Sequence, residues 1–118
     1  MSDRKQRFDA LVDALPQCWS LASSTKWTPD NPAAGHCGVT ALVVNDLFGG
    51  EIAKTRFGEI WHFYNVIDGK RYDFTESQFA DPLHYEDVAS NRDEAFADTN
   101  AAQYEHLSAA VETATGKS

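Results

Sequence analysis

The segment from Asn31 to Gly50 constrains the fold more strongly than any other stretch of the chain. Its first part is a loop with Pro32 and Gly35 that leads to Cys37. An apolar run follows at once and closes on a pair of glycines, and its large residues recur at the spacing of one helix face: Val39, Leu42, Val43 and Leu47. We therefore predict a largely buried helix that begins at Cys37 and ends before the glycines.

The predicted position of Cys37, in the first turn of this helix, has a chemical consequence. Unpaired backbone N–H groups and the positive end of the helix dipole favour a thiolate over a thiol at such a position. A nucleophilic cysteine needs this placement. The alternative is that a small residue, which is often buried in proteins, simply begins a helix.

Length and charge limit what kind of protein this is. With 118 residues, the chain is expected to form a single domain over residues 1–118. A net charge of −8 argues against nucleic acid or an anionic membrane as a partner. The sequence shows neither a long apolar span nor a basic-then-apolar leader, so we expect a cytoplasmic protein. The cysteines, Cys18 and Cys37, do not form a disulfide framework and are expected to be reduced.

Amphipathic patterns predict a helix toward each end of the chain. Residues 3–15 carry an apolar stripe, and this helix should stop before Pro16. The loop that follows holds Trp19 and Trp27, which we expect to pack at the edge of the core. The second helix is predicted to begin after the N-cap Ser90 and to end near Thr113, with Gly116 beyond its end. One side of this helix carries an apolar stripe of Phe96, Tyr104, Leu107 and Val111.

Between these helices the pattern changes to that of strands. Residues 51–56 are a short strand candidate, and residues 59–67, rich in aromatic and β-branched side chains, give the strongest strand signal. Asp68-Gly69 is a preferred two-residue hairpin turn, and residues 70–75 form the return strand. The prediction is an antiparallel sheet of three strands in meander order.

The predicted hairpin turn decides which residues share a face of the sheet. With a two-residue turn, the facing pairs are Ile67 with Lys70, Tyr64 with Asp73, and His62 with Thr75. His62 and Asp73 are then diagonal neighbours, with Cβ atoms about 7 Å apart or less, within reach of a hydrogen bond. A slip by one residue would separate them, and only this register favours Asp73 over Asp68. The opposite face would carry Trp61, Phe63, Asn65 and Tyr72.

Cys37, His62 and Asp73 supply the three roles of a thiol-dependent active site. The cysteine is the nucleophile, the histidine takes its proton and later protonates the leaving group, and the aspartate fixes the tautomer of the histidine. Taken singly, His62 could be a satisfied sheet histidine and Asp73 a solvent-facing acid near a turn. Their occurrence on one predicted face, with Cys37 at a helix start, favours the functional interpretation.

Three segments carry a resemblance to a known family. They are Pro32 to Ile52, His62-Phe-Tyr-Asn65 and Tyr72-Asp-Phe-Thr-Glu-Ser-Gln-Phe79. They resemble the YunG-like family of small bacterial proteins, a similarity that covers most of the chain and implies no particular substrate. In this family a Gln commonly precedes the cysteine, whereas His36 occupies that position here.

The order of these motifs also resembles the core of papain-like and transglutaminase-like cysteine enzymes. That resemblance implies an α+β fold in which the helix bearing the cysteine packs on the three-stranded antiparallel sheet, with N- and C-terminal helices. Cys37 matches the nucleophile, His62 the general base and Asp73 the orienting residue. An oxyanion hole would need the backbone N–H of Cys37 and a second donor, for which the candidates are Trp27, Asn31 and His36.

Two classes of function remain open on this basis. The first is a thiol-dependent hydrolase or acyltransferase acting on an amide of an unidentified substrate or protein partner, such as a peptidase, amidase, deamidase or transglutaminase. The second is a binding protein that keeps the fold without the chemistry. An inert Cys37 beside an exposed tryptophan surface would favour the second class, and that surface would consist of Trp19, Trp27 and Trp61.

A metal site is the third alternative, and the spacing of the residues argues against it. The ligands would have to be Cys18, His36, Cys37 and His62. These residues lack the paired spacing that is typical of zinc ligands. We therefore expect neither a metal nor another cofactor.

Overall fold

The chain forms an α+β fold in the computed structural model, which describes residues 2–115. The elements follow in this order: α1 Ser2–Cys18, α2 Cys37–Phe48, β1 Glu51–Phe57, β2 Ile60–Ile67, β3 Lys70–Tyr72, a short 3₁₀ helix Glu76–Gln78, β4 Val88–Ala89, α3 Arg92–Ala97 and α4 Ala101–Ala114. The strands form one antiparallel sheet in the order β3-β2-β1-β4. No helix within the described range has both the length and the apolar character needed to cross a membrane.

The predicted cysteine helix is confirmed as α2, which begins at Cys37 and is followed by Gly49. Every residue from Cys37 to Val44 is buried, because other elements cover the helix on two sides. One core cluster joins α2 to α1 and α4 and includes Leu11, Leu15, Val39, Val43, Leu107 and Val111. The other joins α2 to the sheet and α3 and includes Ala41, Leu42, Ile52, Phe63 and Ala95. Dense packing on both sides holds the first turn of α2 in place.

The β2–β3 hairpin has the predicted register. Ile67 pairs with Lys70 and Asn65 with Tyr72 across the Asp68-Gly69 turn. Both turn residues have positive φ, 55° and 78°, as a type I′ turn requires. β3 ends at Tyr72, three residues earlier than residue 75, where the predicted strand ends. As a result, the part of β2 from Ile60 to Tyr64 continues without β3 beside it.

The sheet has four strands, so the prediction of three strands is wrong by one. The additional strand, β4, pairs with the outer edge of β1 through Ala53 with Ala89 and Lys54 with Val88. A strand of two residues is too short to show the alternating pattern that predicts a strand. It forms because the edge of β1 is there to pair with it.

The first helix also differs from its prediction, because Pro16 lies inside α1 rather than after it. A proline inside a helix removes one backbone hydrogen bond. The helix nevertheless reaches Cys18, which is buried together with Trp19 in the core cluster of α1, α2 and α4. Trp27 packs against the same cluster, so the expected packing of both tryptophans is confirmed.

The predicted C-terminal helix is two helices, α3 and α4, separated at residues 98–100. Their N-caps are Asn91 and Asn100, and each asparagine side chain accepts a hydrogen bond from a backbone N–H three residues later. Ser90, the predicted cap, instead donates through its hydroxyl to Glu94 over 2.6 Å. The predicted stop at Gly116 lies outside the described residues.

Candidate active site

A cleft of about 330 Å³ opens where β3 has ended and β2 continues. Cys37 lines it from the start of α2, and His62 lines it from β2. The remaining walls come from the loop before α2, from β2, from the segment after β3 and from the end of α3, and include Lys26, Gly35, Trp61, Gln78, Phe79 and Asp98. Two of the three residues predicted to act together therefore meet in one cavity.

The thiol of Cys37 is held by Asp98, a residue that the sequence did not single out. Cys37 is 8% exposed, and its Sγ donates to Oδ2 of Asp98 over 3.4 Å. The same oxygen accepts the backbone N–H of Gly38 over 3.2 Å. Because the N-cap residue His36 offers no side-chain cap, Asp98 satisfies this free N–H from the C-cap position of α3.

The thiol pKa moves in the opposite direction from the one expected at a helix N-terminus. Burial is the main cause that raises the pKa of Cys37, to about 12, and the negative charge of Asp98 adds to it. Backbone hydrogen bonds from Phe63 and Gly38 act in the opposite direction and are outweighed. The prediction of a resting thiolate is therefore wrong, because desolvation of the charged form exceeds the effect of the dipole.

Asp98 lines the cleft and is an exposed residue. Surrounding protein atoms nevertheless desolvate its carboxylate and raise its pKa. The hydrogen bonds from Cys37 and Gly38, together with the charge of Lys26, favour the ionised form.

The predicted contact between His62 and Asp73 is confirmed. Nε2 of His62 lies 2.7 Å from Oδ2 of Asp73, and the two side chains are 1% and 2% exposed. The hydroxyl of Tyr85 donates to the same oxygen over 2.8 Å. Oδ1 of Asp73 accepts the backbone N–H and the hydroxyl of Thr75, over 3.1 and 3.3 Å. Four hydrogen bonds therefore hold the carboxylate.

This arrangement determines the protonation of the neutral imidazole. An ionised carboxylate can only accept, so Nε2 of His62 carries the proton that is shared with Asp73. Nδ1 then carries the free lone pair, and it is buried without a hydrogen-bond partner among the residues that the structure describes. An orphaned acceptor in a buried side chain is costly unless something else occupies it.

Asp68, the alternative partner of His62, takes no part in this site. It lies in the hairpin turn, its side chain is 81% exposed, and its carboxylate is 3.8 Å from Arg4. The register argument that favoured Asp73 is therefore correct.

The three residues predicted as oxyanion-hole candidates do not line the cleft in the described structure. His36 is fully buried, with Nε2 2.7 Å from the Ser23 hydroxyl and Nδ1 3.1 Å from the carbonyl of Ala34. Its burial lowers the pKa of the imidazole to about 4. Asn31 donates to the carbonyl of Gln78, and the indole N–H of Trp27 is buried and has no hydrogen-bond partner within residues 2–115.

The sequence reasoning missed Asp98 and Tyr85, which contact Cys37 and Asp73 respectively. Tyr85 lies in a polar loop, and Asp98 is 61 residues from Cys37 in the chain. Neither has a spacing that relates it to the cysteine or the hairpin. The double asparagine capping pattern could have located the end of α3, but not the direction of the Asp98 side chain.

The metal alternative finds no geometric support in residues 2–115, where no group of three or more His, Cys, Asp or Glu side chains is placed to hold an ion. Cys18 belongs to the core cluster of α1, α2 and α4. Both ring nitrogens of His36 are hydrogen-bonded, one to Ser23 and the other to Ala34. Both Cys18 and Cys37 are free thiols, as expected.

The fold and the site define an α+β protein that places a buried cysteine and an aspartate-bound histidine in one cleft. The chain belongs to the YunG family, whose profile, described as YunG protein, matches residues 7–116. It is similar to a Bacillus subtilis (strain 168) protein with the name "Uncharacterized protein YunG", at 58% identity over 93 residues, which are 79% of this chain and 81% of the relative. No solved structure matches the chain. The resemblance to the YunG-like family is confirmed.

Proposed function

We propose that the chain is a thiol-dependent amide hydrolase or acyltransferase that uses Cys37, His62 and Asp73. The observation that carries this proposal is the orphaned Nδ1 of His62. Its ring is anchored at Nε2 by Asp73, its Nδ1 is buried without a partner among residues 2–115, and the residue lines the same cleft as Cys37. A purely structural histidine would have both ring nitrogens satisfied, as His36 has.

The proposed reaction uses these three residues in turn. Sγ of Cys37 attacks the carbonyl carbon of an amide while its proton passes to Nδ1 of His62. The C–N bond then breaks, His62 returns the proton to the leaving nitrogen, and an acyl-thioester remains on Cys37. Water or an amine attacks the thioester, which makes the reaction a hydrolysis or an acyl transfer. Asp73 holds the tautomer and the imidazolium throughout.

The raised thiol pKa favours one version of this mechanism. A preformed thiolate–imidazolium pair requires a depressed thiol pKa, whereas burial and Asp98 keep Cys37 protonated. Proton transfer to His62 therefore accompanies attack on the bound substrate, as in a serine-type mechanism. The order of helix cysteine, strand histidine and aspartate supports the comparison with papain-like and transglutaminase-like cores.

The test is acylation of Cys37 by an activated ester, p-nitrophenyl acetate, in a Cys18→Ser background. We expect a burst of p-nitrophenol, an acetyl group on Cys37 found by mass spectrometry, and no burst in Cys37→Ala. His62→Gln should slow the burst by about a hundredfold or more, because the base is lost. Equal burst rates with and without His62, in variants with native circular dichroism, would overturn the proposal.

A non-catalytic binding protein is the second candidate, and the raised pKa of the Cys37 thiol is the observation that favours it. The tryptophan surface expected for that class is not formed. Trp19 is 5% exposed and its indole N–H donates to Thr40, while Lys54 and Arg56 cover the ring of Trp61. The ester experiment separates the two classes.

A further inference from the structure

Asp98 places a negative charge directly at the reacting sulfur. Its Oδ2 is 3.4 Å from Sγ of Cys37 and is fixed by the backbone N–H of Gly38 at 3.2 Å. A side chain at position 38 would push the carboxylate away, because a Cβ there would lie 2.6 Å from Oδ2. The close approach of α3 to the start of α2 therefore depends on a glycine next to the cysteine.

The other charged groups around the cleft do not cancel this carboxylate at the sulfur. Lys26, on the loop before α2, lines the cleft but forms no ion pair with Asp98 within 4 Å in the described residues. His62, on β2, has its proton directed to Asp73. Asp98 is thus the charged group in hydrogen-bond contact with the thiol.

The proposed reaction removes the hydrogen that Asp98 now accepts. Once the thiol proton has moved to His62, one lone pair of Oδ2 has lost its donor beside the new Sγ–C bond. Oδ2 keeps the backbone N–H of Gly38, and water can reach this exposed residue while the cleft is empty. A substrate bound against the sulfur displaces that water, so an N–H hydrogen of the substrate can replace the thiol as donor, whereas an anionic group would be repelled.

We propose that Asp98 is a specificity-determining residue, and that the site acts on amides that keep an N–H hydrogen, which donates to Oδ2 of Asp98. This inference rests on the proposed function and names its substrate class. In acylation the Sγ–C bond forms and the C–N bond breaks. The proton that His62 took from Cys37 goes to the nitrogen, which leaves as ammonia or an amine. Water then cleaves the thioester to give the carboxylic acid and the thiol.

Three alkylating reagents that share the same reacting group, an iodomethylene carbon, test this preference directly. Iodoacetamide presents a primary amide, 2-iodo-N,N-dimethylacetamide lacks the N–H groups, and iodoacetate carries a negative charge. Each forms an Sγ–C bond on Cys37 with loss of iodide and the thiol proton. Second-order rate constants are measured in the Cys18→Ser background and on N-acetylcysteine amide as a reference thiol. Because rate ratios are compared, differences in thiolate fraction between variants cancel.

We expect iodoacetamide to be favoured over each of the other reagents by about tenfold more on Cys37 than on the reference thiol. Asp98→Ala should return both ratios toward the reference values. Asp98→Asn should return only the ratio to iodoacetate, because the amide oxygen of Asn still accepts an N–H. Glu105→Gln, an exposed position on α4, controls for the change in net charge.

The outcomes separate this inference from the proposed function. Wild-type ratios equal to those of the reference thiol, or unchanged in Asp98→Ala, overturn the role of Asp98 while His62-dependent acylation by the ester can still stand. If the Asp98 variants do not fold, the wild-type ratios against the reference thiol decide the question alone. A Cys37 that none of the three reagents modifies overturns both proposals.

Discussion

The Asp73 carboxylate decides the chemistry of the site at the scale of single residues. Tyr85 and Thr75 hold it from two sides, so it can offer His62 only an acceptor. Because the Asp73 carboxylate already accepts hydrogen bonds from its other neighbours, His62 must donate to it through Nε2. This tautomer leaves the lone pair on Nδ1 free.

Asp73→Asn should reverse this tautomer. The backbone N–H of Thr75 is a fixed donor to Oδ1, so the Asn oxygen takes that position and its NH2 group faces Nε2. Nε2 of His62 must then accept, and the proton moves to Nδ1, which can no longer take the thiol proton. ¹⁵N NMR should show Nε2–H in the wild type and Nδ1–H in the variant, and acylation of Cys37 should slow by about a hundredfold or more.

Asp68→Asn is the matched control for this change. Asp68 is exposed and has a φ of 55°, a conformation that Asn adopts readily. The variant should keep both the tautomer and the acylation rate. An unchanged tautomer in Asp73→Asn would contradict the assignment, and so would an equal loss of acylation in the two variants.

How much of the site the sequence predicts depends on chain distance. His62 and Asp73 were paired from the sequence because a two-residue turn between them fixes the register over a few residues. Asp98 could not be found this way, because its contact with Cys37 arises from the packing of α3 on α2. The raised thiol pKa escaped prediction for the same reason, since desolvation depends on what covers Cys37.

The contact between α2 and α3 is the decisive feature at the scale of elements. The Cβ of an alanine at position 38 would lie 2.6 Å from Oδ2 of Asp98 and 2.7 Å from the carbonyl oxygen of Ala95. A side chain could move aside, whereas the backbone of α3 can move only as a helix. Gly38 therefore sets the distance between the two helices.

Gly38→Ala tests this contact. Helix propensity alone would stabilise α2 by about 1 kcal/mol, whereas crowding against α3 should cost more, for a net loss of about 1–3 kcal/mol in the free energy of unfolding. Urea denaturation measures the change. Because the carboxylate of Asp98 is pushed off the sulfur, the preference of Cys37 for iodoacetamide over iodoacetate should also fall. A variant as stable as the wild type, or more stable, would contradict the importance of this contact.

The elements themselves were predicted best where local chemistry determines them. The apolar run closed by Gly49 gave α2, and the Asp68-Gly69 turn gave the hairpin. The break between α3 and α4 was missed because the apolar residues after it continue the same stripe, although Asn100 followed by Gln103 is a recognisable capping signal. β4 and the continuation of α1 past Pro16 depend on tertiary contacts, which local sequence does not encode.

At the scale of the whole molecule, the loop before α2 is tied to the core through His36. Its imidazole is fully buried, accepts from Ser23 and donates to the carbonyl of Ala34, and lies 5.6 Å from the ring of Trp19. This loop carries the chain into Cys37, so the histidine supports the site without lining it. Its neutral form is the one that the fold accommodates.

The stability of the protein should therefore decrease in acid through His36. Burial lowers the imidazole pKa from 6.5 to about 4, so between these values the unfolded chain binds a proton that the folded chain does not. The free energy of unfolding should fall as the pH decreases from 6.5 to about 4, by on the order of 3 kcal/mol in total, with no contribution from His36 outside this window.

His36→Gln cannot take up this proton, and its amide can still donate to Ala34 and accept from Ser23. Urea denaturation of both proteins across this range isolates the effect, because groups such as Asp87 and Asp98 titrate in both and cancel in the difference. If the free energy of unfolding changed with pH equally in the two proteins, His36 would not be the source of the acid sensitivity.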